Sequence, residues 1–296
     1  MKRFFKVFSL LAFVAFFAAC NKDDGSSVEP PRDYAEQYAV EKVDIENYLK
    51  EHYIASVDED FNVTIEEIPD GGDQVSIWDQ TEYELLAKDV NLAGVNFELY
   101  YLVLRQGVNE QPTRADRVRV AYRGFRLDGT QFDSDPFPQD NISLITYVNG
   151  WHEIIPLFKT GVYIDEPDSP NPAEFEDYGA GIMFLPSAYG YYNNVRTGIP
   201  AYNPLVFSFK LYDLQFVDSD GDGILSKYET DNGIDIRDFD SDGDGAPDYL
   251  DIDDDNDGYS TRLEITIPDT DEVYDFEDIP TCDGGTVKKH LDASCF

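Results

Sequence analysis

The stretch VRVAYRGFRLDGTQFD, residues 118–133, decides the fold of this chain. Its apolar residues Val118, Val120 and Tyr122 alternate with polar ones, which is the period-two pattern of a strand with one buried face. Asp128-Gly129 is a dipeptide favoured in tight hairpin turns. The stretch therefore predicts two antiparallel strands joined by a short turn.

Segments on either side continue the same domain. Residues 99–104, LYYLVL, form a β-rich run, and residues 204–214 predict a final strand. Within GWHEIIPLF, residues 150–158, Trp151 and its apolar neighbours at i+3, i+4 and i+7 lie on one helical face. Pro156 interrupts that pattern, because proline removes a backbone hydrogen bond and clashes with the preceding turn. We therefore predict a short or bent helix.

The acidic composition excludes one class of partner and indicates another. The formal net charge is −38, so the phosphates of nucleic acid would repel the chain. Such an excess of carboxylates indicates bound divalent cations, or acidic segments that are disordered. Aromatic residues make up 14% of the chain, which is too many for a wholly disordered acidic protein. Part of the chain therefore folds around a core.

The N-terminus predicts export and lipidation. Lys2 and Arg3 precede an apolar run that ends before Cys20, so residues 1–19 have the pattern of a signal peptide. Cys20 follows two alanines and resembles a bacterial lipobox, which implies a lipid anchor. We expect a Gram-negative outer-membrane lipoprotein that faces the periplasm or the cell surface, with residues 20–32 as its tether. An ordinary secretory signal with an incidental cysteine is the alternative.

Residues 33–96 are predicted to be an N-terminal extension packed on the main domain. Its first part, residues 33–50, is predicted to be helical because apolar residues recur roughly every three or four positions. These positions are Tyr34, Tyr38, Val43, Ile45, Tyr48 and Leu49. The sequence leaves open whether this helix is also a dimerising arm.

In their order, these blocks resemble the FK506-binding-protein (FKBP) family of peptidyl-prolyl cis-trans isomerases over about residues 97–217. The resemblance implies an α+β fold, a bent antiparallel sheet around one short helix, with an apolar pocket between them. Residues 165–181 interrupt the pattern as an acidic, proline-rich stretch, which we predict to be a surface loop insertion beside the pocket. The pocket residues that the resemblance implies are Tyr122, Phe132, Asp133, Val148, Trp151, Tyr189, Ile199 and Phe207.

The resemblance also implies what each residue does. Trp151 would be the floor under the proline ring of the substrate. The walls would be Tyr122, Phe132 and Phe207. The peptide would be hydrogen-bonded by the Val148 backbone N–H and the Tyr189 phenol, with Asp133 as a polar anchor at the rim. Rotation about a prolyl bond breaks no covalent bond, so the reaction needs no cofactor, and the partners would be proline-containing polypeptides.

We considered two alternative functions. A non-catalytic FKBP-fold chaperone or adhesin-like surface module is the second hypothesis, because each aromatic residue also suits an ordinary β-domain core. A hydrolase is disfavoured. The candidate bases are His52, His152 and His290, of which His152 is predicted to be exposed, and neither G-x-S-x-G nor H-E-x-x-H occurs.

Residues 218–264 carry three Asp-rich repeats. The first, DSDGDGILSKYE from Asp218, matches the EF-hand calcium loop, and the third, from Asp253, matches it again. The second, from Asp240, fits with Asp251 in the last place. The predicted calcium ligands are Asp218, Asp220, Asp222, Ile224, Glu229, Asp240, Asp242, Asp244, Asp248, Asp251, Asp253, Asp255, Asp257, Tyr259 and Glu264.

Long flanking helices are not evident in this segment, so it resembles thrombospondin type 3 or dockerin-like calcium ladders more than a paired EF-hand sensor. Calcium would be structural and would stiffen an otherwise expanded acidic arm. A solvated acidic linker is the alternative.

The last part of the chain, residues 265–296, is predicted to be a tail that contains Cys282 and Cys295. In an exported protein whose Cys20 is lipidated, the remaining pair is most simply a disulfide. A metal site is the alternative, with His290 as the nearby nitrogen ligand.

Overall fold

The computed structural model describes residues 30–165, 174–230 and 234–295. The chain divides into one unit of Met1–Arg32 and a second of Asp33–Phe296, and the fold below is that of the second unit. The predicted signal peptide and Cys20 lie outside the described residues, as does the middle of the predicted insertion. Within the described ranges, we find no helix with the length and apolar content needed to span a bilayer.

The elements follow one another as a helix, a hairpin, a large sheet and a chain of short turns. The helices are α1 Tyr34–Glu51, α2 Asn149–Ile154 and α3 Thr261–Glu264. The strands are β1 His52–Val57, β2 Val63–Glu67, β3 Glu84–Leu92, β4 Val95–Arg105, β5 Arg117–Arg126, β6 Gln131–Asp135, β7 Ile142–Ser143, β8 Val162–Ile164, β9 Glu174–Glu176, β10 Gly179–Leu185 and β11 Leu205–Gln215.

Helix α1 confirms the predicted N-terminal helix. It begins after Asp33, whose carboxylate accepts hydrogen bonds from the backbone N–H groups of Ala35 and Glu36, at 2.9 and 3.1 Å. Its buried face carries Ile45 and Leu49. Val43 was expected on that face and is instead 55% exposed, because it lies two residues before Ile45 and so points to another side of the helix. The dimerising arm stays a prediction.

The main sheet has the strand order β3-β4-β10-β11-β5-β6, with β7 paired to β5, and the pairs are antiparallel. The predicted hairpin of residues 118–133 forms from β5 and β6, which pair Gly124 with Asp133. Helix α2 is short and runs directly into a 3-10 turn at Ile155–Leu157, where Pro156 stands. The prediction of a short helix next to Pro156 is therefore confirmed, and the fold is mixed, with antiparallel sheets and few helices.

Strand β10 shows where the core lies, because it is buried along its whole length. Met183 and Leu185 face the cluster of Trp151 and α2, whereas Ile182 and Phe184 face the cluster of α1. Alternate residues of a strand point to opposite faces of the sheet. The sheet therefore has a covered face on each side, and the N-terminal extension forms one of its covers.

Two predicted boundaries shift. The main domain was expected to start at residue 97, but that position lies inside β4, and β3 extends the same sheet before it. The predicted insertion of residues 165–181 includes β9, which pairs with β8, and the first residues of β10. The start of the domain was missed because β3 is a half-exposed edge strand. The end of the insertion was missed because Gly179–Gly181 offers few apolar side chains that would indicate a strand.

The segment after residue 217 packs on the sheet domain. The buried carboxylate of Asp116 accepts a hydrogen bond from the Val217 N–H at 3.2 Å, and Ala115 forms a small core with Ile236 and Tyr249. The described part of this segment is held by short 3-10 turns and α3, without long helices. Cys282 and Cys295 are joined by a disulfide, with their Cα atoms 5.9 Å apart.

Candidate functional site

Four aromatic rings meet at the start of α2. Trp151, which is fully buried, lies 5.1 Å from the ring of Tyr122, 5.4 Å from Phe207 and 4.7 Å from Tyr147, measured between centroids. Each pair meets edge to face, the arrangement that the charge distribution of aromatic rings favours. Tyr122 and Phe207 come from the neighbouring strands β5 and β11, and so the sheet brings together three predicted pocket residues.

Phe132 completes the cluster and depends on a residue that the sequence did not single out. Its ring lies 5.5 Å from Phe207 at an interplanar angle of 87°. At Gly124, on β5, an added Cβ would lie 2.6 Å from the Phe132 ring and 3.0 Å from the Phe207 ring. Glycine is therefore needed at residue 124, because any side chain would push these rings away from the strand.

A chain of hydroxyl and carboxylate groups forms the polar side of the cluster. The Tyr122 hydroxyl donates to Asp133 Oδ2 at 2.8 Å, and the Tyr147 hydroxyl donates to the Tyr122 oxygen at 3.0 Å. Burial, followed by these hydrogen bonds to Tyr147 and Asp133, raises the pKa of Tyr122. Tyr122 therefore remains a neutral donor, and its acceptor Asp133 is exposed to solvent.

Tyr147 is the second site residue that the sequence reasoning missed. It precedes Val148, the N-cap of α2, in a loop without a periodic pattern. Its signal in the sequence is weak: an aromatic residue four positions before Trp151, in a segment that need not be helical. Only the folded chain shows its ring against Trp151.

Val148 and Ile199 take buried positions beside the rings. Val148 is 5% exposed, and its carbonyl accepts from the Trp151 N–H at 2.8 Å. Ile199 exchanges two backbone hydrogen bonds with Arg196, both 3.0 Å long, which closes a tight loop. Gly198 in this loop has a φ of +78°, and a Cβ added there would lie 3.2 Å from the Cβ of Phe132.

Tyr189 belongs to the same buried cluster as Trp151 and Phe207, and its predicted role as a peptide donor stays a prediction. Its ring packs 5.3 Å from Phe97, rather than on any of the rings around Trp151 in the part of the chain that the structure describes. The side chain is 3% exposed. The phenol predicted to bind the peptide is therefore buried near the start of β4.

His152 and Glu153 lie on the far side of α2 in an ion-pair network. Glu153 is 2.6 Å from Arg114 and 3.1 Å from Lys88, and Arg114 also reaches Asp235 at 3.2 Å. Burial alone would raise the pKa of Glu153, but Arg114 and Lys88 outweigh burial and lower it. His152 was expected to be exposed, yet its side chain is only 12% exposed because this network packs around it.

The three Asp-rich repeats form closed loops with one internal pattern. In the first, Asp218 accepts hydrogen bonds from the N–H groups of Gly221 and Gly223, at 2.7 and 3.1 Å. Asp240 and Asp253 hold the glycine of their own loops in the same way. That glycine has a φ of +111°, +101° and +94° in the three loops, a conformation that glycine takes without strain.

Each loop gathers an aspartate triad whose oxygens lie within 4.8 Å of one another. The triads are Asp218/Asp220/Asp222, Asp240/Asp242/Asp244 and Asp253/Asp255/Asp257. The structure gives Asp248 another contact, since its two oxygens accept from the Ser241 N–H and hydroxyl. Of the other predicted ligands, Asp251 accepts a hydrogen bond from the Asp253 N–H. The Ile224 side chain is buried, and that of Tyr259 is 38% exposed.

Several carboxylate oxygens in these loops are buried and lack a hydrogen-bond partner among the described residues. They include Asp220 Oδ2, Asp222 Oδ2 and both oxygens of Glu229 and Glu264. Burial first, and then neighbouring aspartates, raise the pKa of Glu229 to about 9 and that of Glu264 to about 8. Buried carboxylates of this kind are paired or coordinate metals in stable proteins, and an all-oxygen set suits calcium.

Comparison with known families gives a match to the Asp-rich segment. The family model described as BamM C-terminal matches residues 218–289, which include the three loops and Cys282. This match lies outside the region that resembles the FKBP family.

Known FKBP-type isomerases also match this chain. A probable FKBP-type peptidyl-prolyl cis-trans isomerase FkpA of Neisseria meningitidis serogroup B is 34% identical over 96 residues, 30% of this chain and 34% of that protein. The FKBP-type peptidyl-prolyl cis-trans isomerase FkpA of Aeromonas hydrophila is 31% identical over 144 residues, 47% of each chain. The crystal structure of FkpA from Escherichia coli aligns with a TM-score of 0.32 at 27% identity, over 40% of this chain and 48% of that one.

The chain therefore has homologues named FKBP-type peptidyl-prolyl isomerases at modest identity. It spans about a third to a half of the length of these two curated relatives.

Proposed function

We propose that this chain is an FKBP-type peptidyl-prolyl cis-trans isomerase that assists the folding of exported proteins, with its substrate site at Trp151. The observation that carries the proposal is the buried indole with the rings of Tyr122 and Phe207 set edge to face around it. The names of the homologues support the same reaction. The site needs only apolar walls and a few hydrogen bonds, as the described residues provide.

The reaction follows from the physics of the prolyl amide. Resonance gives the peptide bond a rotational barrier of about 18–20 kcal/mol. The twisted amide has lost that resonance and carries less charge separation than the planar one. Aromatic walls that exclude water therefore favour the twisted form over the planar ground state, provided that the site also holds the chain twisted.

Tyr147 controls access to the indole in this proposal. A proline ring that is to rest on Trp151 displaces the Tyr147 ring, with the loss of one aromatic contact and one hydrogen bond to Tyr122. These contacts are worth about 0.5–1.5 kcal/mol each, which substrate contacts can offset.

Besides the buried Tyr189 phenol, two groups next to the indole hold the peptide in this proposal. The Val148 N–H lies at the N-cap of α2, where the helix makes no use of it, and it serves as one donor. When the Tyr147 ring is displaced, the Tyr122 oxygen is left to accept a hydrogen bond from the peptide, while the Tyr122 hydroxyl still donates to Asp133.

A protease-coupled assay with a proline peptide tests the enzyme on the full chain. We expect Trp151→Leu and Phe132→Ala to lower kcat/KM strongly. Trp78→Leu is the matched control, since Trp78 lies against Tyr100 and Lys50, remote from the Trp151 cluster. If the wild type gave the same isomerisation rate as buffer alone, the proposed isomerase activity would be refuted. The second hypothesis would then stand: a binding module in which Tyr147 keeps the indole covered.

We also propose that the three loops bind calcium as a structural ion. The buried, unpartnered oxygens of Glu229 in the first loop, Asp242 in the second and Glu264 in the third support this, because such groups are unfavourable unless a cation or a donor meets them. Calorimetry with calcium chloride tests it, and the absence of binding at millimolar calcium would leave an acidic segment without an ion.

For location, we propose an outer-membrane lipoprotein anchored through Cys20, on the strength of the lipobox resemblance alone. Metabolic labelling with a fatty acid should mark the wild type and not Cys20→Ala. Equal labelling of both would contradict the anchor.

A further inference from the structure

The three Asp-rich loops differ at their second position. Ser219, Ser241 and Asp254 stand there, and each backbone N–H donates to the ninth residue of its own loop. The acceptors are Ser226 Oγ at 3.2 Å, Asp248 Oδ1 at 2.7 Å and Thr261 Oγ1 at 3.2 Å. The backbone role is thus the same in all three loops, and only the third loop carries a carboxylate at this position.

The Asp254 side chain lies outside the calcium pattern of its own loop. It is 2% exposed, and neither of its oxygens has a hydrogen-bond partner among the described residues. It is absent from the triad of the third loop, which consists of Asp253, Asp255 and Asp257. A buried carboxylate without a partner is strongly unfavourable unless a cation or a donor meets it.

The groups that Asp254 does meet belong to the first loop. Asp222 and Glu229 each place a carboxylate oxygen within 4.8 Å of that of Asp254, and of each other. Asp222 is 2% exposed and Glu229 is 4% exposed. Asp222 Oδ2 and both Glu229 oxygens also lack hydrogen-bond partners in the described ranges. Three carboxyl groups from two loops therefore converge with free oxygens in a buried place.

Neutralisation by a basic side chain does not account for this arrangement. Burial raises the pKa of Asp222, and Arg262 only opposes that effect. Within the described residues Arg262 makes no ion pair to any of the three carboxylates. The described cluster contains no histidine or cysteine, so its donors are the hard oxygens that calcium prefers.

We propose that Asp222, Glu229 and Asp254 together bind one calcium ion, which clasps the first loop to the third. The inference rests on the proposed calcium binding of the loops and adds to it a ligand, Asp254, that lies outside the loop pattern. Asp222 belongs both to this cluster and to the triad of its own loop, and so it bridges the two. The segment is thus folded back on itself rather than being a linear ladder.

Calorimetry of the full chain with calcium chloride tests the clasp. We expect Asp254→Asn to lose one bound ion, or to weaken one site at least about tenfold, since even outer-shell changes cost about 10–100-fold. Asp271→Asn is the matched control, because it removes an exposed carboxylate from the same segment. It should bind calcium as the wild type does.

Thermal melting with and without calcium gives a second test. If Asp254 only stabilised the fold, calcium would not reverse the order of the two melting temperatures. Without calcium, Asp254→Asn should melt above the wild type because a buried carboxyl group crowded against two others is gone. With calcium the order should reverse. If Asp254→Asn binds calcium as the wild type does and shows no reversal, the clasp is wrong while the calcium loops stand. If the wild type binds no calcium, both proposals fail.

Discussion

Glu41 of α1 accepts hydrogen bonds from the Ser187 N–H at 2.7 Å and from the Ser187 hydroxyl at 2.5 Å, across 146 residues of sequence. Glu41 is 2% exposed and also accepts from Gln37 at 2.7 Å. Burial raises its pKa, although the bonds to Ser187 oppose that effect. The N-terminal extension therefore fixes the turn of Ser187–Tyr189, which places Tyr189 against Phe97.

Replacing Glu41 should destabilise the whole sheet domain. Glu41→Ala leaves the buried Ser187 N–H and hydroxyl without an acceptor, which costs about 1–3 kcal/mol. Urea denaturation followed by Trp fluorescence measures the change. Asp44→Ala, at an exposed position of the same helix, is the control and should change the free energy of unfolding little.

Gly124→Ala should impair the site directly. Its Cβ would collide with the Phe132 and Phe207 rings, and overpacking of this kind costs about 1–3 kcal/mol. We expect lower isomerase activity even at temperatures where the variant is folded. Gly94→Ala is the comparison: it has open space and a φ of +82°, so it should lose some stability and keep full activity. Unchanged activity in Gly124→Ala would argue against the site.

Tyr147→Val should raise kcat/KM for a proline peptide. The variant removes the ring that contacts Trp151, and an edge-to-face pair is worth about 0.5–1.5 kcal/mol, or about 2- to 10-fold in rate. Tyr147→Phe keeps the ring and loses the hydrogen bond to Tyr122, so its effect should be smaller. A fall in kcat/KM for both variants would show that Tyr147 binds substrate rather than covering the indole.

His152 should make the stability of the fold depend on pH. Burial and then Arg114 lower its pKa to about 4. Because an unfolded histidine titrates at about 6.5, the folded state binds fewer protons between these values. The contribution of the neutral His152 to the free energy of unfolding is complete above about pH 6.5. It is lost as the pH falls toward 4, and the loss amounts to up to about 3 kcal/mol.

Denaturant titrations at pH 7 and pH 4.5 measure this dependence. His152→Gln should lose less stability over that interval than the wild type, since glutamine does not titrate. Glu153, whose pKa is lowered, contributes to the acid loss in both proteins and cancels in the difference. Equal losses in the two proteins would show that His152 does not titrate abnormally.

The sequence alone predicted those structures that form through interactions between residues close to one another in the chain. The hairpin of residues 118–133 formed because alternation and an Asp-Gly turn act within a few residues, and the helix at Trp151 is short because Pro156 acts on the adjacent turn. The aspartate loops closed for the same reason, since Asp218 bonds to a glycine five residues away.

Only the tertiary structure decided which side chains meet across the chain. Tyr147 lies on Trp151, Glu41 holds Ser187, and Asp254 faces Asp222 and Glu229 because of the order of strands and the folding back of the loops. The structure also packs the ring of Tyr189 on Phe97, a contact that the sequence did not indicate. A local pattern sets the face on which a side chain lies, but the contact that it makes there depends on packing between segments that are far apart in sequence.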